Sequence, residues 1–287
     1  MTFLPTVCTE ADVERSTWIE CWPPQVQALS FRQQGIELTR AQLHALARRN
    51  GIAASLFDAV GTAPLTALQA QLDGLLQQFP AGAFVRLGSR SPKDTERFVL
   101  SGGRADSGAE AIALLSAGSR RMFVDYRRCM QNHWTPSIFL REWQPMSSAQ
   151  EWRCFVHERQ LLGITQYWHA QALDSGACAQ LQRTGIASLL QLAAQLLQRL
   201  PLPSFVFDAC LPLPSPLAAR AVLIEINPFG ATTDAGLFDA CDERLDRSIR
   251  WRSEAGVQQR PLADCCQPAS GAPSQPGQAQ NLLGSPP

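Results

Sequence analysis

Lysine is almost missing from this chain. Of its 25 basic residues only Lys93 is a lysine, and the rest are arginine. With the abundance of alanine, leucine and glutamine, that bias fits GC-rich coding, so the number of arginines does not by itself argue for phosphate binding. Net charge is missing too: 25 acidic residues balance the 25 basic ones. No global field steers the chain toward nucleic acid or an acidic membrane surface. No run approaches the ~18 apolar residues of a membrane span. The opening residues, MTFLPTVCTEADVER, carry neither a basic leader nor a continuous apolar stretch. There is no G-x-x-x-x-G-K-S/T loop and no G-x-G-x-x-G, which disfavours a P-loop or Rossmann nucleotide site. The nine cysteines include no Cys-x-x-Cys pair, and the four histidines stand apart from them, which argues against zinc. The expectation is a reduced, cytoplasmic, soluble protein with no DNA or membrane partner.

What is present is a sizeable core. Hydrophobic residues make up 45% of the 287 positions and charged ones 17%, enough for two domains or one large lobed one. Thr39 caps a predicted helix over 40–50 that stops at Gly51, and a second helix over 64–79 carries the stripe Leu65, Leu68, Leu72, Leu75, Leu76 and Phe79. AFVRL (83–87) reads as a strand followed by a loop over 88–94, and helices are expected near 109–115 and 119–130. The arginines of the latter (120, 121, 127 and 128) read as a solvated face. SIFLREW (137–143) reads as a short strand. EWRCFVHERQLLGITQ is the clearest hairpin, with Glu151, Arg153, Phe155 and His157 on one face. A helix is expected over 178–200 and another from 233 to about 252. From 261 onward Pro, Gly, Ser, Ala and Gln dominate, and 261–287, with Cys265 and Cys266, reads as a disordered tail.

The most informative stretch is 205–234. FVFDAC and AVLIEIN read as paired strands. Alternation puts Val206 and Asp208 on one face of the first, and Leu223, Glu225 and Asn227 on one face of the second, with Val222, Ile224 and Ile226 opposite. Glu225 and Asn227 then point the same way, roughly 6.5–7 Å apart. In a hairpin Asp208 can join them, giving two carboxylates and an amide oxygen. Mg²⁺ sites commonly use one or two carboxylates and leave the rest to substrate phosphates. Polar strand residues facing water would leave the same pattern, but a carboxylate inside an apolar strand needs a partner. Arg86, Lys93 and Arg153 lie on other strands and loops as cationic candidates. A triphosphate needs both sets of charge.

Five ordered blocks carry a resemblance: FVRLGSRSPKD, FLREW, EWRCFVHERQLLGITQ, FVFDAC and VLIEINPFGATTDAGLF. Over about residues 84–245 the chain resembles the cell division cycle protein 123 family, a branch of the ATP-grasp superfamily. The resemblance implies an α+β, ATP-grasp-like fold of two lobes whose antiparallel sheets clasp ATP. It divides the chain into an N-terminal helical region (1–83) completing the N-terminal lobe, that lobe itself (84–143), a C-terminal lobe (144–260) and the tail (261–287). It implies ATP ligation by Arg86, where the family usually has lysine, by Lys93, where it usually has arginine, and by Arg153. Glu142 and Trp143 match the hinge that holds adenine. Asp208, Glu225 and Asn227 match the Mg²⁺ ligands, and Asp234 matches a Thr-Asp pair beside the substrate. Arg86 and Arg153 would be the catalytic cations.

The resemblance also implies a function. Eukaryotic members are ATP-dependent assembly factors for translation initiation factor 2 that bind its gamma subunit. Two alternatives stay open. One is a bacterial ATP-grasp ligase that joins a small carboxylate or peptide to an amine through an acylphosphate; the other is an interaction module with a dead site, against which the intact acidic trio argues.

Overall fold

The computed structural model describes residues 9–53, 63–212 and 220–265. The first sheet forms around AFVRL. Strands β1 (Gln33–Glu37), β2 (Ala83–Leu87), β3 (Arg104–Ala105) and β4 (Ser137–Glu142) pair antiparallel in the order β1-β4-β2-β3. Strand alternation sorts its residues cleanly. Ala83, Val85, Leu87, Ile138 and Leu140 enter one core, while Phe84, Arg86 and Arg141 turn the other way and line a cleft.

That core is covered by helices. Short α1 (Glu10–Ser16) and α2 (Pro24–Gln27) precede β1. Helix α3 (Arg40–Arg49) has a Thr39–Gln42 capping box, and Gly51 follows it at φ +83°. Helix α4 (Ala63–Leu76) buries Leu65, Leu68, Leu72 and Leu76 of the expected stripe, leaving Leu75 partly buried. Helix α5 (Glu96–Ser101) links β2 to β3, and α6 (Gly108–Leu115) and α7 (Arg120–Gln131) complete the layer. The N-terminal region therefore supplies a strand as well as helices. It also reaches the second lobe, because Ile19, Trp22 and Val26 join that lobe's core.

The second sheet has six strands: β5 (Glu151–His157), β6 (Gln160–Gln166), β7 (Phe205–Cys210), β8 (Val222–Asn227), β9 (Ser248–Ser253) and β10 (Gly256–Pro261). Their order is β10-β9-β6-β5-β7-β8, antiparallel except for the β6–β9 pair. Trp152, Cys154, Phe205, Phe207 and Ala209 pack under the helical layer, and Glu151, Arg153 and Asp208 take the opposite face. The layers thus run helices, sheet, cleft, sheet, helices.

The structure corrects four expectations. The helix expected over 178–200 starts earlier, with Asp174 capping α8 (Ser175–Gln180). A π-helical turn (Leu181–Gly185) joins it to α9 (Ile186–Arg199). The helix expected from 233 to 252 does not form. Turns follow Thr233, then β9 and β10, because Ile249 and Trp251 are buried at a spacing of two and Gly256 supplies φ +105° for the connection. A bulge in the β7–β8 pairing puts Asp208 opposite Glu225 but Ala209 opposite Leu223. Leu223 therefore enters the helix-side core, while consecutive Ile224 and Glu225 both line the cleft. Finally, 261–265 are ordered as the end of β10 and a 3₁₀ turn with Leu262 buried. The rest of the expected tail, 266–287 with Cys266, lies outside the described residues.

The 88–94 loop that leads to Lys93 is pinned. Gly88 N–H donates to the Ser137 carbonyl (3.0 Å), and a Cβ on Gly88 would run into the Glu20 carboxylate, itself held by Ser137 N–H and Arg15. Gly88→Ala is expected to cost about 2 kcal/mol, read as a lower urea midpoint. An unchanged midpoint would show that the loop yields freely.

Candidate functional site

Register builds the site. Arg153 on β5 lies directly opposite Asp208 on β7, and Asp208 lies opposite Glu225 on β8. Side chains opposite one another on neighbouring strands share a face, so three charges form one row across the sheet. Arg153 grips Asp208 with two bonds, Nε to Oδ1 at 2.8 Å and Nη2 to Oδ2 at 2.9 Å. This is the bidentate fork that favours arginine over lysine. Arg153 Nη1 also donates to the Asp234 carbonyl at 3.0 Å.

The opposing sheet contributes Arg86, whose Nη2 is 3.1 Å from Glu225 Oε2, with both side chains buried. Arg86 Nε donates to the Leu87 carbonyl at 3.0 Å, which fixes the guanidinium. Lys93 reaches in from its loop to Glu151 Oε1 at 3.5 Å, and the Tyr167 ring lies under both Lys93 (5.0 Å) and Arg153 (4.7 Å). Asn227 Nδ2 stands 3.4 Å from Asp208 Oδ2 and 3.4 Å from Glu225 Oε1.

The electrostatics divide the two carboxylates. Burial presses the Glu225 carboxyl upward, but Arg86 and then Lys93 pull it well below the usual carboxylate range. Asp208 is wholly buried, and that burial pushes its carboxyl upward against the pull of Arg153, with Glu225 adding to the rise. Each carboxylate is thus answered by its own guanidinium, Glu225 by Arg86 and Asp208 by Arg153. Burial alone would depress the Lys93 ammonium, yet Glu151 and then Glu225 hold it above its ordinary value.

Beside this row is a cavity of about 560 Å³ between the sheets, within the usual range for a small-molecule site. Arg86, Lys93, Glu151 and Glu225 line its charged end; Phe31, Phe84, Phe98, Trp143 and Met146 make the rest largely apolar. Glu142 and Trp143 lie at its mouth, at the end of β4 where the chain crosses to the second sheet. The structure therefore gathers eight of the nine residues singled out from the sequence. Asp234 is the exception: its carboxylate is exposed and accepts from Gly236 N–H at 2.8 Å, so only its backbone carbonyl takes part.

Sequence reasoning overlooked Arg141. It is buried in the cleft wall, donating to the Ile224 carbonyl (2.7 Å) and to Gln33 Oε1 (2.9 and 3.1 Å), and so ties the two sheets together. Glu151 was placed on the right face but given no role, though it pairs with Lys93 and accepts from Trp168 Nε1 at 2.9 Å. Alternation in FLREW was the available signal for Arg141, since it puts Phe139 and Arg141 together.

The donor chemistry can be tested against a divalent cation. Among the described residues no group of three or more His, Cys, Asp or Glu side chains is set to hold a metal. The cluster has two carboxylates, and its third oxygen donor is the Asn227 amide. That amide places N–H between the two carboxylates, the spot where their remaining lone pairs converge. A half-turn of the amide presents Oδ1 there instead. The set is hard, anionic and convergent, and it fits Mg²⁺ completed by phosphate oxygens.

A family model matches residues 55–270, well over half of the chain, and its description is D123. The chain belongs to the D123 family. All five sequence blocks lie within the matched span. The Xenopus laevis protein named translation initiation factor eIF2 assembly protein is 28% identical over 196 residues, covering 63% of this chain and 56% of that protein. The Schizosaccharomyces pombe protein of the same name is 28% identical over 174 residues, 55% of this chain and 51% of that one. The chain spans about half the length of these curated relatives. Among solved structures, Cdc123 from Schizosaccharomyces pombe shares 82% of this chain and 92% of its own length at TM-score 0.64 and 20% identity. The likeness is one of fold: like that structure, the chain is α+β, and it has two largely antiparallel sheets, as the resemblance implied. Among the described residues no helix is long and apolar enough to cross a membrane.

Proposed function

We propose that this chain binds Mg-ATP in the cleft between its sheets and acts as an ATP-dependent assembly factor for translation initiation factor 2, engaging the gamma subunit. The observation that carries the nucleotide half is the Arg153–Asp208–Glu225 row facing Arg86 across the cleft. Two carboxylates and the Asn227 amide converge where fixed cations also converge. Asp208, Glu225 and Asn227 would hold the metal, which would neutralise phosphate charge when bound. Arg86, Lys93 and Arg153 would bind the remaining phosphate charge, and Arg86 and Arg153 would stabilise any charge that develops on a transferring phosphoryl group. The apolar end of the cavity suits adenine, with Trp143 and the chain at Glu142 at its edge. Family membership and relatives named as eIF2 assembly proteins support the partner half and favour it over a ligase joining a carboxylate to an amine.

The test is retention of purified gamma subunit on the immobilised chain with and without Mg-ATP. Retention that strengthens with Mg-ATP supports the reading; none under either condition contradicts the partner half. Lys93→Gln separates the phosphate end from the base end. It is expected to weaken ATP binding about tenfold while leaving AMP binding nearly unchanged, measured by calorimetry. Equal weakening of both would remove Lys93 from the phosphate site.

A further inference from the structure

A second cavity, of about 510 Å³, has Asn227 in its wall. Its other walls are α1, the loop carrying Ser89 and Arg90, the Arg121–Arg128 face of α7, and residues 228–233. Three arginines face it. Arg90 Nε binds buried Asp125 at 2.9 Å and its Nη2 reaches Glu14 Oε1 at 3.1 Å. Arg128 pairs with the other Glu14 oxygen. Arg121 Nε is buried with no hydrogen-bond partner among the described residues. Of the four α7 arginines expected from the sequence to be a solvated face, Arg121 and Arg128 thus frame a cavity, while Arg120 and Arg127 are exposed.

The helix that supplies Glu14 is weakly seated. No residue of α1 is buried. Val13 on α1 and Val124 on α7 both line the cavity yet stay 43% and 41% exposed, so little apolar contact holds the helix there. Two neighbouring side chains anchor it: Arg15, paired with Glu20 at 3.1 Å and lying over the Trp18 ring, and Glu14, bridging Arg90 and Arg128; partly exposed ion pairs of the Glu14 kind are weak. Without Glu14, Asp125 and Glu10, which also lines the cavity, would answer three arginines. The site is already occupied by a carboxylate borne on a peptide, and Trp18, Val124 and Phe229 add apolar wall beyond the charges.

We infer that this cavity is a docking site for an acidic peptide segment of the partner protein, and that Glu14 on α1 occupies it until the partner's carboxylate displaces it. The assignment of the segment to the assembly partner rests on the proposed function; the anion-binding peptide site does not. Docking there would bring the partner's carboxylates next to Asn227, which couples the two sites through one side chain.

The test uses the full chain and a fluorescein-labelled hexaglutamate peptide, with hexaglutamine as control, followed by anisotropy at low salt. Glu14→Gln should bind hexaglutamate about tenfold more tightly than wild type, because Arg90 and Arg128 are released. Adding Arg121→Gln to that variant should return the affinity to the wild-type level or below. Unchanged binding in Glu14→Gln, or binding indifferent to Arg121→Gln, would overturn the inference. So would competition by inorganic phosphate with no peptide binding, which would make the site one for small anions. Thermal stabilisation by Mg-ATP is measured on the same variants. Its absence in wild type would defeat the nucleotide reading and leave the peptide comparison intact; its persistence in Glu14→Gln shows that the variant folds.

Discussion

Arg153→Ala is expected to destabilise the fold by about 3–5 kcal/mol, because it strands a carboxylate that is wholly buried. Among the described residues Asp208 has no other cation within bonding distance: both of its oxygens accept from the Arg153 fork, and Asn227 adds a 3.4 Å contact. The loss would come from the charge left behind more than from the pair itself. A buried ion pair replaced by apolar residues of similar volume is often neutral in stability. Arg153→Met combined with Asp208→Leu should therefore recover most of the loss while binding no Mg-ATP. Urea denaturation of the single and double variants, read as a double-mutant cycle, measures this. A single variant that loses less than about 1 kcal/mol would mean that Asp208 is not a charge the fold must answer.

The second large effect is on metal-dependent binding, and Asn227 is the residue that isolates it. Removing Glu225 would strand Arg86, whose side chain is 2% exposed, and so would confound stability with binding. Among the described residues the Asn227 side chain makes two hydrogen bonds, both long. Asn227→Ala should leave the urea midpoint nearly unchanged and cut ATP affinity in the presence of Mg²⁺ by roughly 10–100-fold, the range seen when support around a metal is lost. In EDTA its ATP affinity should match wild type. A variant with full Mg²⁺ dependence would take Asn227 out of the metal set.

The sequence made the site easier to read than the fold around it. Asp208, Glu225 and Asn227 were legible because carboxylates inside apolar strands are costly without partners, so their position alone implied convergence. Arg86 and Arg153 were legible as cations, but their partners were not. Alternation says which face a residue takes, not which residue of the opposing sheet it meets. Leu223 shows the limit within a strand: one bulge residue reverses the alternation, and nothing local in VLIEIN marks where the extra residue falls. Residues 233–252 failed for a different reason. Scattered leucine, phenylalanine and alanine imitate a helical stripe there, while the buried pair Ile249 and Trp251, two apart, carried the true signal over too short a run to outweigh it. Glu14 was invisible, since its importance comes from arginines more than 70 positions away in the chain.

The central claim is that Asp208, Glu225 and Asn227 hold a divalent cation beneath a nucleotide's phosphates. Calorimetric titration of the wild-type chain with ATP, once in Mg²⁺ and once in EDTA, tests it most directly. The account predicts clear binding in Mg²⁺ that weakens at least tenfold in EDTA. Equal affinity in the two buffers, or no heat in either, would contradict it.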